Sequence, residues 1–473
     1  MKHRPGAFSR EWLWVHLIRF SLLIFGAVGS FTPAATPTVP PQTTDLIGPS
    51  STLADLLAHA AVRNAEIRAV MAEIEALRAR VPQAEALPDP MLTYAYFPRS
   101  VETRVGPQRQ RLAVSQKFFW PGKRDLRAAA AREDVRAAKE RLNGVRTALA
   151  FRIKQAWYEY AYLNRALAVT RDNIQLVTRL EATARSRYSA GQATYADILK
   201  AQVTLARLED QWLTLTDMAA PLRARLNTEL NRPVTAPLPV PQAIDAPDVS
   251  LNAEDLLTRL HGRNPELREI RRHQAGQEFN RELARRENRP DFTIGVDYLD
   301  MGGARMDGVP DSGKNALGVS VSLNIPLWRD KYDAAREEAT RRTLQLRERE
   351  TGQANRLTAE LNMALYEYRN ARRRHHLYGE TLIPKADQAL AASEKAFATG
   401  RSDFNALLEA QQTLLAYTLE MERSRADQAV QLARLEMLVG EELLPGAGPA
   451  AADPADNQAG ATTAFPQSTE VRR

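Results

Sequence analysis

The chain has 473 residues, 44% of them hydrophobic and 26% charged, enough apolar content to bury a substantial core. It contains no cysteine, which excludes disulfides, thiolate nucleophiles, cysteine-based zinc sites and a lipid-modified N-terminal cysteine. The formal net charge is +7, but Lys2, Arg4, Arg10 and Arg19 against Glu11 place part of that excess in the leader. Elsewhere bases alternate with acids, as in Arg347-Glu348-Arg349-Glu350, the pattern of a solvated helix face rather than a nucleic-acid surface.

Residues 1–35 read as a signal peptide: a basic stretch, the apolar run Phe20 to Val28, then small residues and prolines. The run is shorter than the roughly 20 residues of a membrane-spanning helix. An uncleaved anchor is the other reading, because Trp12 to Ile18 extends the apolar segment. Residues 36–51 form a Pro/Thr-rich linker that is too proline-dense for a helix. No later stretch is apolar enough to cross a bilayer as a helix, so a membrane location requires strands.

The body of the chain repeats itself in order, residues 52–240 and 241–440. Arg63-Asn64-Ala65-Glu66-Ile67 returns as Arg263-Asn264-Pro265-Glu266-Leu267, and Trp157-Tyr158-Glu159-Tyr160 as Leu365-Tyr366-Glu367-Tyr368. Tyr188, Gly191, Tyr195, Ile198 and Leu199 return at the same spacing as Phe397, Gly400, Phe404, Leu407 and Leu408. Each half starts with a helix. Two strands follow in each, about 91–97 and 109–118 in the first half and about 291–299 and 316–325 in the second. Their alternation is of period two: Leu317, Val319, Val321, Leu323 and Ile325 oppose Gly318, Ser320, Ser322 and Asn324.

Helical hairpins over 122–230 and 329–439 complete the halves. Leu142, Val145, Leu149, Ile153, Ala156, Tyr160, Leu163 and Leu167 step by three and four, a coiled-coil-like seam. Gly191 and Gly400 mark the hairpin turns, where a left-handed residue ends a helix cheaply. Residues 441–473, rich in Ala, Pro and Gly, read as a disordered tail.

Each strand has one apolar and one small or polar face, as a barrel between lipid and water requires. A four-stranded sheet covered by helices in a soluble α+β protein shows the same alternation. Four strands cannot close a barrel, and open edges are not tolerated in lipid, so a membrane reading forces oligomerisation. Two chains give eight strands and a filled interior; three give twelve and room for an aqueous lumen.

The duplication, the strand pairs, the two turn motifs, Ala86-Leu-Pro-Asp-Pro90 before the first strand and Arg289-Pro290-Asp291 before the third together resemble the TolC-like outer-membrane efflux family. The stretch Phe118-Phe119-Trp120-Pro121-Gly122-Lys123 is similar to members that work with heavy-metal pumps of the RND type. The resemblance implies a mainly α chain with membrane β: long antiparallel coiled-coil α-hairpins form a periplasmic tunnel, and four β-strands per chain complete a twelve-stranded barrel in a homotrimer. It implies outer-membrane lipid, a periplasmic adaptor (membrane fusion) protein and an inner-membrane pump as partners, with no nucleic acid and no cofactor.

It also places the two turns at the narrow periplasmic end, where gating and adaptor docking would fall to Arg187, Tyr188, Gly191, Thr194 and Asp197, and to Phe397, Gly400, Ser402, Asp403 and Glu409. Some members carry two acids on the second inner helix; the matching positions here are Ala406 and Glu409, so one is kept. Asp197 and Glu409 either enrich cations in a lumen or are ordinary acids near a helix start.

No enzyme is expected, since no Walker loop, nucleophile elbow or Rossmann glycine cluster is present. Adjacent His375 and His376 point to different helix faces and do not pair on a metal. The tyrosines repeated at 158, 160, 366 and 368 are assigned to packing. A duct for a protein-secretion machine and a poreless periplasmic coiled-coil scaffold remain as alternatives.

Overall fold

The structure is a computed structural model that describes residues 47–443 apart from 242, 243, 245 and 246. The leader, the linker up to residue 46 and the tail from residue 444 lie outside the described residues.

Each half opens with a pair of helices sharing one cap. In the first, α1 (Leu53–Arg63) starts on a capping box: Thr52 accepts from the Asp55 amide while Asp55 accepts from the Thr52 amide at 2.7 Å. Asn64 ends α1 and caps α2 (Ala65–Glu85), and its Nδ2 donates to the Glu229 carbonyl at 3.0 Å. In the second half, Asn264 stands between α5 (Ala253–Arg263) and α6 (Pro265–Arg286) and donates to the Leu438 carbonyl at 2.8 Å. The repeated Arg-Asn is therefore a staple that ties each helix pair to the far end of its own hairpin. Asn264 is buried, so Asn264→Ala removes a cap and strands a buried carbonyl. We expect it to cost about 2 kcal/mol, read as a lower thermal midpoint by circular dichroism in detergent; an unchanged midpoint would refute the staple.

The strands are β1 (Met91–Tyr96), β3 (Gly106–Phe118), β4 (Phe292–Met301) and β5 (Ala316–Leu323), antiparallel in the order β1-β3-β4-β5. A two-residue stub, β2 (Glu102–Thr103), pairs with the start of β3 inside what the sequence reads as loop. The register Leu92↔Val114↔Val296↔Val319 runs across all four strands and aligns the apolar positions on one face. That face is exposed through Leu92, Tyr94, Val114, Ile294, Val296, Val319 and Val321. The opposite face is polar, and on it Arg111 Nε donates to Asp297 Oδ1 at 2.9 Å. Among the described residues no helix covers the apolar face, so the α+β alternative, in which helices bury it, does not describe this fold.

After β3 the chain enters α3 (Lys123–Ser189), 67 residues or about 100 Å of helix, and returns along α4 (Tyr195–Glu229). The second hairpin runs through α7 (Arg329–His376), a π-helical turn at Leu377–Leu382, α8 (Ile383–Ala398) and back along α9 (Phe404–Val439). The sequence pattern predicts one unbroken helix from Arg329 to Phe397; the π turn is a correction. Tyr160 lies 28 positions before Tyr188, whereas Tyr368 lies 29 before Phe397. The extra residue is taken up by one wider turn, and Pro384, which has no N–H to donate, stands two residues beyond it.

The cores repeat as the sequence does. Leu56, Ile67, Leu149, Ile153, Trp157, Leu226 and Leu230 form one, and Leu256, Leu267, Leu357, Leu361, Leu365, Leu435 and Val439 form the other. Tyr160 and Tyr368 are buried as packing residues, and Tyr368 Oη accepts from the Val249 amide at 3.1 Å. Tyr366 is exposed, so the packing assignment fails for it within this chain. The hairpins join through α3 and α9, across which Lys154 meets Glu436 at 2.6 Å, Arg423 meets Glu159 at 2.8 Å, and Arg165 meets Glu422 at 2.8 Å.

Candidate functional site at the hairpin tips

Both turns are built the same way. At the first, the Gly191 amide donates to the Tyr188 carbonyl at 2.9 Å and the Gln192 amide to the Arg187 carbonyl at 2.8 Å, closing the helix end. At the second, Gly400 and Arg401 do the same to Phe397 and Ala396 at 3.1 and 2.9 Å. Gly191 and Gly400 both have φ of 70°, a left-handed conformation that costs other residues about 1–2 kcal/mol.

The return helices start on caps. Thr194 and Asp197 form a reciprocal box, with Thr194 Oγ1 donating to Asp197 Oδ2 at 2.8 Å and the Thr194 amide donating to the same oxygen at 3.0 Å. The Asp197 carboxylate thus serves as the cap at the start of α4. Asp403 accepts from the Ala406 amide at 3.0 Å, and Ser402 Oγ lies 3.4 Å from the Asp403 carbonyl.

The two tips are bound together. Arg187 Nη1 donates to the carbonyls of Phe397 and Ala398 at 2.6 and 2.8 Å, and its guanidinium lies 4.8 Å from the Phe397 ring centroid. A cation from the first hairpin thus caps the C-terminal end of α8 in the second, where the helix dipole is negative. Phe397 packs on Phe404 with ring centroids 5.3 Å apart, and Tyr188 on Tyr195 at 5.9 Å. Leu180, Ala184, Ile198, Leu390, Leu407 and Leu408 complete a shared apolar core. Lys200 adds a second bridge, donating to Asn405 Oδ1 at 2.8 Å. More than two turns in from the tip, the hydrogen bond from Arg185 holds the Glu181 carboxyl below its usual range.

Glu409 behaves differently from the other acids. It is exposed, and its carboxylate has no partner among the described residues. It borders a shallow groove of about 290 Å³ between α8 and α9, lined otherwise by Ala386, Ala389, Ala406, Ala410 and Thr413. A larger cavity of about 640 Å³ lies elsewhere, beside Trp157 and the Lys154–Glu436 pair.

The structure therefore gathers Arg187, Phe397 and Gly400 at one point, since Arg187 Nη2 stands 3.6 Å from where a Gly400 side chain would begin. Thr194 and Asp197 form a separate cap, as does Asp403 with Ser402 beside it. Sequence reasoning missed Lys200, Asn405, Ala386 and Ala389. Only the run of small residues along 386–410 gave any sign of the groove.

The family model of outer membrane efflux proteins matches residues 56–231 and 256–441. Over 369 residues the chain is 23% identical to the cobalt-zinc-cadmium resistance protein CzcC of Cupriavidus metallidurans, covering 77% of this chain and 84% of that protein. Among solved structures, CusC superposes with a TM-score of 0.70 at 15% identity, over 82% of this chain and 92% of that one. The outer membrane protein VceC of Vibrio cholerae gives 0.67 at 16%, over 82% and 96%. With both repeats matched, and with strands and hairpins arranged as in these channels, the chain belongs to the outer membrane efflux protein family.

Proposed function

We propose that three copies of this chain form a closed duct through which an inner-membrane pump and a periplasmic adaptor discharge divalent metal cations to the exterior. The chain is an outer-membrane efflux subunit with its helices in the periplasm; the copy number, the cargo and the docking role of the tips are what the proposal adds. The observation that carries it is the sheet. Four strands turn an apolar face, uncovered among the described residues, outward and a polar face with the Arg111–Asp297 pair inward, and among those residues both outer strands are left with unpaired edges. Lipid tolerates neither edge, so neighbouring copies must supply the missing strands. Twelve strands leave room for a lumen where eight do not.

Metal cargo is supported by the likeness to the cobalt-zinc-cadmium resistance protein. Glu409 suits it: an unpartnered carboxylate near the tip raises the local cation concentration if it borders the passage. The tips, with the residues named above, are the proposed gating and docking end. No catalytic step is assigned to the chain.

Planar-bilayer conductance of the detergent-extracted protein tests the reading, with Glu409→Ala alongside. Unitary steps with a cation preference that falls about two- to threefold in the variant are expected, as for removal of one charge per subunit near a constriction. Steps indifferent to the substitution would remove Glu409 from the passage. Loss of zinc and cobalt tolerance on deleting the gene would support metal cargo; unchanged tolerance to both would exclude it.

A further inference from the structure

The two halves of the chain meet at one strand junction whose chemistry is explicit. Lys123, the first residue of α3 and only 1% exposed, places Nζ 3.0 Å from Oδ1 of Asp291, the residue just before β4, and donates to the Arg289 carbonyl at 2.8 Å. The same Asp291 oxygen accepts from the Trp120 amide at 3.0 Å. Above this clasp β3 and β4 pair as Gln116↔Ile294, Val114↔Val296 and Leu112↔Tyr298.

The outer edges of the sheet hold the same parts without partners. Pro88-Asp89 precedes β1 as Pro290-Asp291 precedes β4, and Pro326 follows β5 by the same three residues as Pro121 follows β3. Arg329 opens α7 as Lys123 opens α3. Asp89 and Arg329 are exposed, and their side chains have no partner among the described residues. Ile325, Leu327 and Trp328 are 73%, 70% and 77% exposed, against 38% for Trp120 at the internal junction. An acid at one edge and a base at the other, each in the place of a member of a formed ion pair, are complementary.

Resting on the channel reading above, we infer that β5 pairs antiparallel with β1 of a second copy in the register that the internal junction dictates. Val321, Val319 and Leu317 then face Leu92, Tyr94 and Tyr96 of the partner subunit, while Arg329 closes on the partner's Asp89. Placing Pro88 on Pro290 and Pro326 on Pro121 transposes the β3–β4 pairs onto these positions directly. Face alternation agrees independently, since a one-residue slip would set apolar residues of one copy against the polar face of the next. The turn before α7 is one residue longer than that before α3, and arginine is the longer side chain.

The absence of cysteine from the sequence makes disulfide trapping unambiguous. Within one chain β1 and β5 stand three strand spacings apart, about 14 Å, beyond disulfide reach, so any bond between them joins two copies. Thr93 and Ser320 fall opposite each other in the inferred register, with Met91 and Ala95 two residues to either side on the same face. Oxidised membranes carrying Thr93→Cys with Ser320→Cys are expected to give about tenfold more covalent trimer than Met91→Cys or Ala95→Cys with Ser320→Cys. A majority at either flanking pair overturns the register and leaves the channel reading standing. Asp89→Arg is expected to lower the temperature at which the trimer dissociates in SDS, and Arg329→Asp in the same chain to restore it; a double variant no better than the single one overturns the clasp. If the unsubstituted protein forms no trimer in membranes, the channel reading itself fails and takes the inference with it.

Discussion

Arg187→Ala is expected to loosen the hairpin tips without unfolding the hairpins. The guanidinium makes two charge-assisted hydrogen bonds to carbonyls at the end of α8 and lies against the Phe397 ring. Such bonds are worth about 1.5–3 kcal/mol, and half-burial of the side chain argues for the lower part of that range. A loss of about 2 kcal/mol corresponds to roughly thirtyfold more frequent local opening. Hydrogen exchange should therefore quicken by about that factor at the amides of Gly400 and Arg401, while the hairpin stems keep their protection. Arg187→Lys should fall between the two, because an ammonium still reaches a carbonyl but loses the planar stack on the ring. Exchange unchanged at the tip in the alanine variant would sink the idea that one arginine joins the hairpins.

Arg165→Ala should be the more damaging substitution for stability. Arg165 donates through Nε and Nη2 to Glu422 Oε1 at 2.9 and 2.8 Å, and the Glu422 side chain is only 3% exposed. Removing the base leaves a buried carboxylate uncompensated, at a cost of about 3 kcal/mol. For a chain of this size that lowers the thermal midpoint by about 4 °C. The double change Arg165→Leu with Glu422→Leu should recover most of the loss, because replacing a buried pair by apolar groups is close to neutral. A midpoint unaffected by Arg165→Ala would mean that the carboxylate is reached by water and that the rung contributes little. Its neighbour Arg423 holds its charge more firmly than usual: burial works against the cation but is outweighed by the hydrogen bonds it donates to Glu159 and Asp427.

What the sequence revealed of this fold lay in short-range signals. Alternation over eight or ten residues fixed the faces of β4 and β5, because a strand's side chains must divide between lipid and water. Steps of three and four located the buried seam of α3, where Leu149, Ile153, Ala156 and Leu163 are all buried. What remained hidden depends on partners far apart in the chain. Arg187 could be named from the turn motif, but not its contact with carbonyls 210 positions away. Lys123 could be quoted as part of a stretch, yet nothing local indicates that its ammonium is buried against Asp291, 168 positions on. For Asp197 the ambiguity was physical: an acid three residues after a threonine reads equally as a cap or as a charge in a passage, and the cap becomes visible only in the 2.8 Å hydrogen bond. The stub β2 is too short to leave a pattern.

The π turn at Leu377–Leu382 bears on how such a long helix tolerates change in length. One added residue in a regular helix rotates everything beyond it by about 100° and advances it by about 1.5 Å. Across the second hairpin that would have swung Phe397 away from Phe404 and carried Gly400 off the Arg187 guanidinium. Absorbed as a single wide turn, the extra residue leaves the tip in phase with its counterpart while the stem below keeps its own packing. The hairpin is thus decoupled in the middle: the membrane end and the tip can differ by a residue without disturbing each other's angular setting. Excision of Gly379, a residue of that turn, should restore plain α-helical geometry and keep the tip contacts intact, whereas removing one residue from the uninterrupted α3 would have no such slack to draw on.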